Sequence, residues 1–117
     1  MNFIEGTVAT DENGLMLATE GGAAFPLPEG SVAPGMSITL GIRPEHVEVT
    51  QHSPIALNVD VVEPTGAETH FYSRVGEAPF CVAVHHRLDI VPGQMVHLHF
   101  PADRVHLFDS QSGKRVN

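Results

Sequence analysis

"VAPGMSITLGIRPEHVEV", residues 32–49, is the stretch on which the fold turns. Pro34-Gly35 is a turn pair. "SITLGI" (37–42) then reads as a strand, and "HVEVT" (46–50) as its continuation past a proline corner. Pro44 fixes its own φ and biases Arg43 toward an extended backbone, which bends the chain between the two runs. A second stretch, "IVPGQMVHLHFPADRVHLF" (90–108), repeats the plan: Pro-Gly, a strand, a proline corner, an acidic residue, a last short strand. The echo predicts two related halves of one β-domain.

Outward from these stretches the same grammar holds. "FIEGTVA" (3–9) and "LMLAT" (15–19) flank a turn at Asp11 to Gly14, where Asn13-Gly14 suits positive φ. "AAFPL" (23–27) reads as an edge strand, because Pro26 cannot donate to a ladder. "IALNVDVVEP" (55–64) is expected to be one strand, with Ile55, Leu57, Val59 and Val61 on one face and Asn58 and Asp60 on the other. "TGAE" (65–68) turns into "THFYSRV" (69–75), and "GEAP" (76–79) into "FCVAVHH" (80–86). "MVHLHF" (95–100) and "VHLF" (105–108) close the chain, with "PADR" (101–104) as one helical turn and 109–115 as a turn with a short returning strand. Eleven Gly and nine Pro spread along the length leave no room for long helices. Eight to ten short strands with close turns predict an all-β, antiparallel barrel or sandwich over residues 1–117.

Charge narrows the function. Six Lys and Arg stand against fourteen Asp and Glu, a formal net charge of -8, so phosphate backbones are repelled and no nucleic-acid partner is expected. A single cysteine, Cys81, rules out a disulfide within the chain and reads as an inert buried thiol. No apolar run reaches the ~20 residues of a membrane span. A P-loop around "SGKR" (112–115) would need glycine at position 108, which is Phe108, so this chain alone is not expected to be an ATPase or another enzyme. Eight histidines invite a metal reading, but His97 and His99 lie on the face opposite Val96, Leu98 and Phe100, and spacing fixes no third ligand. No metal site is expected. Arg43 and Glu45 can pair across the bend as a charged corner or serve as a contact point for a partner; both readings stand.

"LGIRPEHV" (40–47), "VVEPTGAETHFYSRVG" (61–76) and "VPGQMVHLHFPADRVHLFDSQSGKRV" (91–116) together resemble the C-terminal part of ATP-binding subunits of carbohydrate ABC importers, of the maltose and glycerol-3-phosphate type. The opening "MNFIEGTV" is similar to the point where that family leaves its nucleotide-binding domain. The resemblance covers nearly the whole chain, and it implies an OB-like, MOP/TOBE-type β-barrel. It implies a non-catalytic regulatory and dimerisation domain whose partners are its own nucleotide-binding domain, a second copy of the ATPase subunit, the permease subunits indirectly, and in some members a cytosolic regulator. No cofactor is implied in this chain; ATP and Mg belong to the nucleotide-binding domain. The implied place is the cytoplasm, at the inner face of the membrane. The family's Walker A, signature and Walker B motifs do not occur here, so the chain is expected to be an excised C-terminal fragment with Met1 at an internal methionine, or else a domain encoded alone.

By position the resemblance highlights Arg43, Pro44 and Glu45; Glu63, Gly66, Glu68 and Thr69; and Arg104, Val105, His106, Leu107 and Phe108. Gly66 can serve only to permit the turn, and Leu107 and Phe108 only to anchor the last strand. The alternative function is a stand-alone MOP- or OB-like module for a small oxyanion or sugar, with backbone amides near Gly66 or Gly93 and Arg43 or Arg104 forming the cradle.

Overall fold

The alternating runs become eleven short strands and two single 3₁₀ turns in a computed structural model that describes residues 1–86 and 88–117. The strands are β1 (Asn2–Asp11), β2 (Gly14–Ala18), β3 (Ala24–Pro26), β4 (Ser37–Ile42), β5 (Glu48–Thr50) and β6 (Ile55–Asn58). They continue with β7 (Val61–Pro64), β8 (Thr69–Val75), β9 (Ala78–Val84), β10 (Met95–His99) and β11 (His106–Asp109). The 3₁₀ turns are Pro44–His46, between β4 and β5, and Ala102–Arg104, between β10 and β11. Every pairing between strands is antiparallel.

Three sheets form, ordered β11-β4-β1-β2-β3, β5-β10-β6 and β7-β8-β9. Joined at the β6–β7 break, the second and third reproduce the first: β5-β10-β6/β7-β8-β9. The last strand of each half is exchanged. β11 pairs with β4, and β5 pairs with β10. The register obeys one constant spacing of 58 positions (40 and 98, 41 and 99, 49 and 107): Leu40 faces Leu107 as Leu98 faces Val49, and Gly41 faces His106 as His99 faces Glu48. The turns match as well. Gly35 N–H donates to Val8 O at 2.8 Å and Val8 N–H to Met36 O at 2.9 Å; Gly93 N–H donates to Val59 O at 2.7 Å and Val59 N–H to Gln94 O at 2.8 Å. The sequence echo is therefore an approximate internal two-fold.

The core sits between the halves. Phe100 stacks on Phe25 at 5.8 Å and on Phe80 at 5.7 Å, near-parallel in both cases. Leu17, Ile38, Leu40, Leu98 and Leu107 are fully buried around them. Asn2, also buried, sews the halves together: its Nδ2 donates to Cys81 O at 2.7 Å and its Oδ1 accepts Cys81 N–H at 2.9 Å. An amide side chain here takes the place of a neighbouring strand at the edge of β9.

Four expectations need correction. "IALNVDVVEP" is not one strand. Asp60 N–H donates to Tyr72 O at 2.8 Å, while the partner of Tyr72 is Val61, so two residues face one. That extra residue is a bulge, and it reverses the alternation. Ile55, Leu57 and Val59 are buried, Val61 is exposed, and Val62 packs against the core instead. "HVEVT" does not continue β4: the 3₁₀ turn carries β5 into another sheet. β9 begins at Ala78 rather than 80, with Pro79 inside it. Pro79 lies on the edge that Cys81 turns toward Asn2, where a missing N–H costs no ladder bond. Cys81 is half-buried rather than buried, and burial raises its pKa, which keeps the thiol protonated and unreactive.

Candidate functional site

The highlighted residues fall into two corners. The first is the β7–β8 hairpin. Glu63 pairs with His70 and Pro64 with Thr69. Thr65 N–H donates to Glu68 O at 2.9 Å, closing a turn that needs Gly66 at φ 81°. Glu68 and His70 are two apart and share a face. Glu68 Oε1 lies 3.1 Å from His70 Nε2, and Oε2 lies 2.9 Å from Nδ1 of His85, which follows β9. One carboxylate thus ties the start of β8 to the segment leaving β9. Hydrogen bonds from His70, then from His85, hold the Glu68 carboxyl below the usual carboxylate range. Thr69 is buried, and its Oγ1 accepts Leu88 N–H at 3.1 Å, a second tie between the same segments. Glu63 Oε2 accepts a long bond from Tyr72 OH at 3.4 Å. Repulsion from Cys81 once that thiol ionises in alkali, then from Glu63, raises the Tyr72 pKa.

The second corner is the 3₁₀ turn after β4, with β11 beside it. Arg43 is extended (φ −73°, ψ 143°), as a residue before proline should be, and Pro44 opens the turn. Among the described residues the ion pairs are Glu68 with His70, Glu68 with His85, and Arg74 with Asp60. Arg43 and Glu45 therefore do not pair across the bend. Arg104 lies in the other 3₁₀ turn, the symmetry counterpart of His46, and is not among the charges that act on His106. His106 and Phe108 sit on the outer face of β11, while Val105 and Leu107 are buried. Burial first, then the positive charge of Arg115, Arg43 and His46, lowers the His106 pKa.

Sequence reasoning placed Glu68 and His106 but not His70, His85, His46 or Arg115. His70 was findable, since a strand residue two positions from Glu68 must share its side. His85, seventeen positions from Glu68, was not.

Two grooves test the anion reading. One, of about 580 Å³, is lined by Glu5, Glu20 and Glu77 with Phe3, and among the described residues no Lys or Arg lines it. The other, of about 540 Å³, is lined by Asp60 and Arg74, already paired at 3.5 Å. The Gly93 amide is committed to Val59, and Gly66 lies two residues from the Glu68 carboxylate. Among the described residues neither groove offers an oxyanion an unpaired cation. His97 Nδ1 lies 3.1 Å from Ser53 O, and no cluster of His, Cys, Asp and Glu fit to hold a metal occurs among the described residues. No helix among the described residues is long and apolar enough to cross a membrane.

Comparison with known proteins gives these corners a context. The family description "TOBE domain" matches residues 40–108, and "MalK OB fold domain" matches residues 1–47. An uncharacterized ABC transporter ATP-binding protein of Sinorhizobium fredii, y4oS, is 40% identical over 99% of this chain and 31% of its own length. The sn-glycerol-3-phosphate import ATP-binding protein UgpC of Escherichia coli O157:H7 is 34% identical over 99% of this chain and 33% of its own. A putative ATP-binding protein of Brucella abortus is 35% identical over 97% of this chain and 31% of its own. The chain thus spans about a third of the length of these relatives. In fold it resembles the cytoplasmic molybdate-binding protein ModG, with a TM-score of 0.69 over 91% of this chain and 94% of that one. Identity there is 16%, so the likeness is one of fold alone. This chain belongs to the TOBE domain family, in the form carried by ATP-binding proteins of ABC transporters.

Proposed function

We propose that this chain is the non-catalytic regulatory and dimerisation domain of the ATP-binding subunit of a carbohydrate-type ABC importer. The observation that carries the reading is the match along 97–99% of the chain to about a third of each ATP-binding relative. On this reading the remaining part of the polypeptide holds ATP and Mg, and the domain works at the cytoplasmic face of the membrane beside its permease.

The mechanism is mechanical. Two copies hold one another through their β-surfaces while the nucleotide-binding domains approach and separate. A cytosolic regulator that binds one separation better than the other shifts the population toward it. Corners tied from several segments suit this work: Glu68 and Thr69 join the β7–β8 hairpin to the segment after β9, so a push on one moves the other.

The test is deletion of residues 1–117 from the native polypeptide, with transport, its regulation and ATPase-subunit dimerisation measured. The expected result is a weakened dimer and lost regulation with ATP binding retained. Unchanged transport, regulation and dimerisation would sink the reading.

A further inference from the structure

Two of the six Lys and Arg of this acidic chain share one face with a histidine. Strand register puts Arg43, His106 and Arg115 on one side of the β4–β11 pair. Gly41 stands opposite His106, and Arg43 is two residues beyond Gly41, so the three share a face. Phe108 is two beyond His106, and Arg115 stands opposite Phe108. The alternate residues, Leu40, Ile42, Val105 and Leu107, are buried on the core side. Arg43 and Arg115 are exposed, and neither is in an ion pair among the described residues. Among the described residues Arg115 Nε donates only to Asn117 Oδ1, at 3.3 Å. Nearby, Asp109 Oδ1 is occupied by the amides of Gln111 and Ser112, at 2.8 and 3.2 Å. Glu45 is exposed on the 3₁₀ turn between Arg43 and His46. His46 Nδ1 is buried with no partner among the described residues.

The internal two-fold supplies a control. At the matching place in the other half, Pro101 stands for Arg43, Glu48 for His106 and Thr50 for Phe108. The same strands and turn form there with Pro101 and Glu48 in place of Arg43 and His106, so folding does not require those two. An apolar ledge adjoins the charges. Gly41 has no side chain, and Met1 and Phe3 lie over it: a Cβ there would come within 2.9 Å of Met1 Sδ and 3.2 Å of the Phe3 ring. Phe3 is 54% exposed, and Glu5, two residues on and opposite Thr39, shares its face and sets the limit of the positive patch. Arginine beside exposed aromatic and Met side chains is the composition of protein-binding surfaces.

We infer that the outer face of β4 and β11 docks an acidic segment of another protein, whose carboxylates meet Arg43 and Arg115 while an apolar side chain lies on Phe3. The inference stands on this surface and does not need the importer reading. Its test reads binding by the 117-residue chain, so it can fail while the transport test succeeds, and the reverse.

The probe is a fluorescein-labelled Glu-rich peptide with one central Leu, followed by anisotropy. Its Lys-rich counterpart, inorganic phosphate and a short DNA duplex serve as competitors. The Glu-rich peptide is expected to bind, more weakly as salt rises. R43A/R115A weakens binding about tenfold or more, and F3S weakens it less. R74A, in the Asp60 pair, changes nothing. R43E/R115E switches preference to the Lys-rich peptide, a gain that a misfolded variant cannot imitate. The inference is overturned by no binding of the Glu-rich peptide, or by equal binding in R43A/R115A. Competition by phosphate or DNA as strong as by unlabelled peptide overturns it in favour of a small-anion or nucleic-acid site. A parent dimer that R43A/R115A makes monomeric overturns it in favour of an interface between copies.

Discussion

β1 and the β6–β7 run hold the same place in the two halves, yet β1 is unbroken over ten residues and its counterpart is split. Both carry an inward valine, Val8 or Val59, clasped by a Pro-Gly turn through the same two backbone bonds. Beyond the clasp they part. β1 runs on into a tight hairpin, with Asp11 opposite Gly14. The second half inserts a bulge at Asp60, which turns Val61 outward and aims β7 and β8 away as a separate sheet. The Glu68 corner lies at the end of that redirected hairpin. The duplicated frame fixes the core, and the departures from symmetry carry the polar corners.

If the halves share one core, their matched residues should be worth the same. Leu40→Ala and Leu98→Ala each remove a fully buried side chain, and each is expected to cost ~2–5 kcal/mol in urea unfolding, within about 1 kcal/mol of one another. A large gap between them would break the symmetry argument. The seam comes next. Asn2→Ala removes both bonds to Cys81 and leaves backbone groups of β9 unpartnered, an expected loss of ~1–3 kcal/mol. A loss well under ~0.5 kcal/mol would show that Asn2 does not join the halves.

The polar corners should respond more weakly and through pH. A carboxyl held below its ordinary value adds stability above that value, and the gain is lost as pH falls through the lowered pKa. Glu68→Gln is therefore expected to melt lower than the parent near neutrality, with the gap closing under acid below about 4.5. A gap that persists in acid would assign the effect to something other than charge. The smallest effect sits on the other corner. Arg115→Ala removes one of the positive charges that lower the His106 pKa, so proton NMR titration should show that pKa rise. No movement would place Arg115 too far away to share an anion with His106.

The strands, their turns and their doubling were legible because each is local. Alternation, Pro-Gly pairs and the Arg43-Pro44 bend are relations between residues at most a few positions apart, and the repeat at a spacing of 58 is visible as text. The bulge at Asp60 was not legible, since an unbroken alternating run reads the same with or without an extra residue on its partner strand. Nor was the exchange of β5 and β11, because either corner could have led its strand back to its own half.

The sequence by itself determined that this is a twice-built, helix-poor β-protein with charged corners, since backbone preference and side-chain period act within a few bonds. Only the tertiary structure decided which charges meet. Glu68 finds His85 across seventeen positions, and Arg43 shares a face with Arg115 across the β4–β11 pairing. Contacts at that range are set by which strands lie side by side, and burial of the common core around Phe100 selects that order.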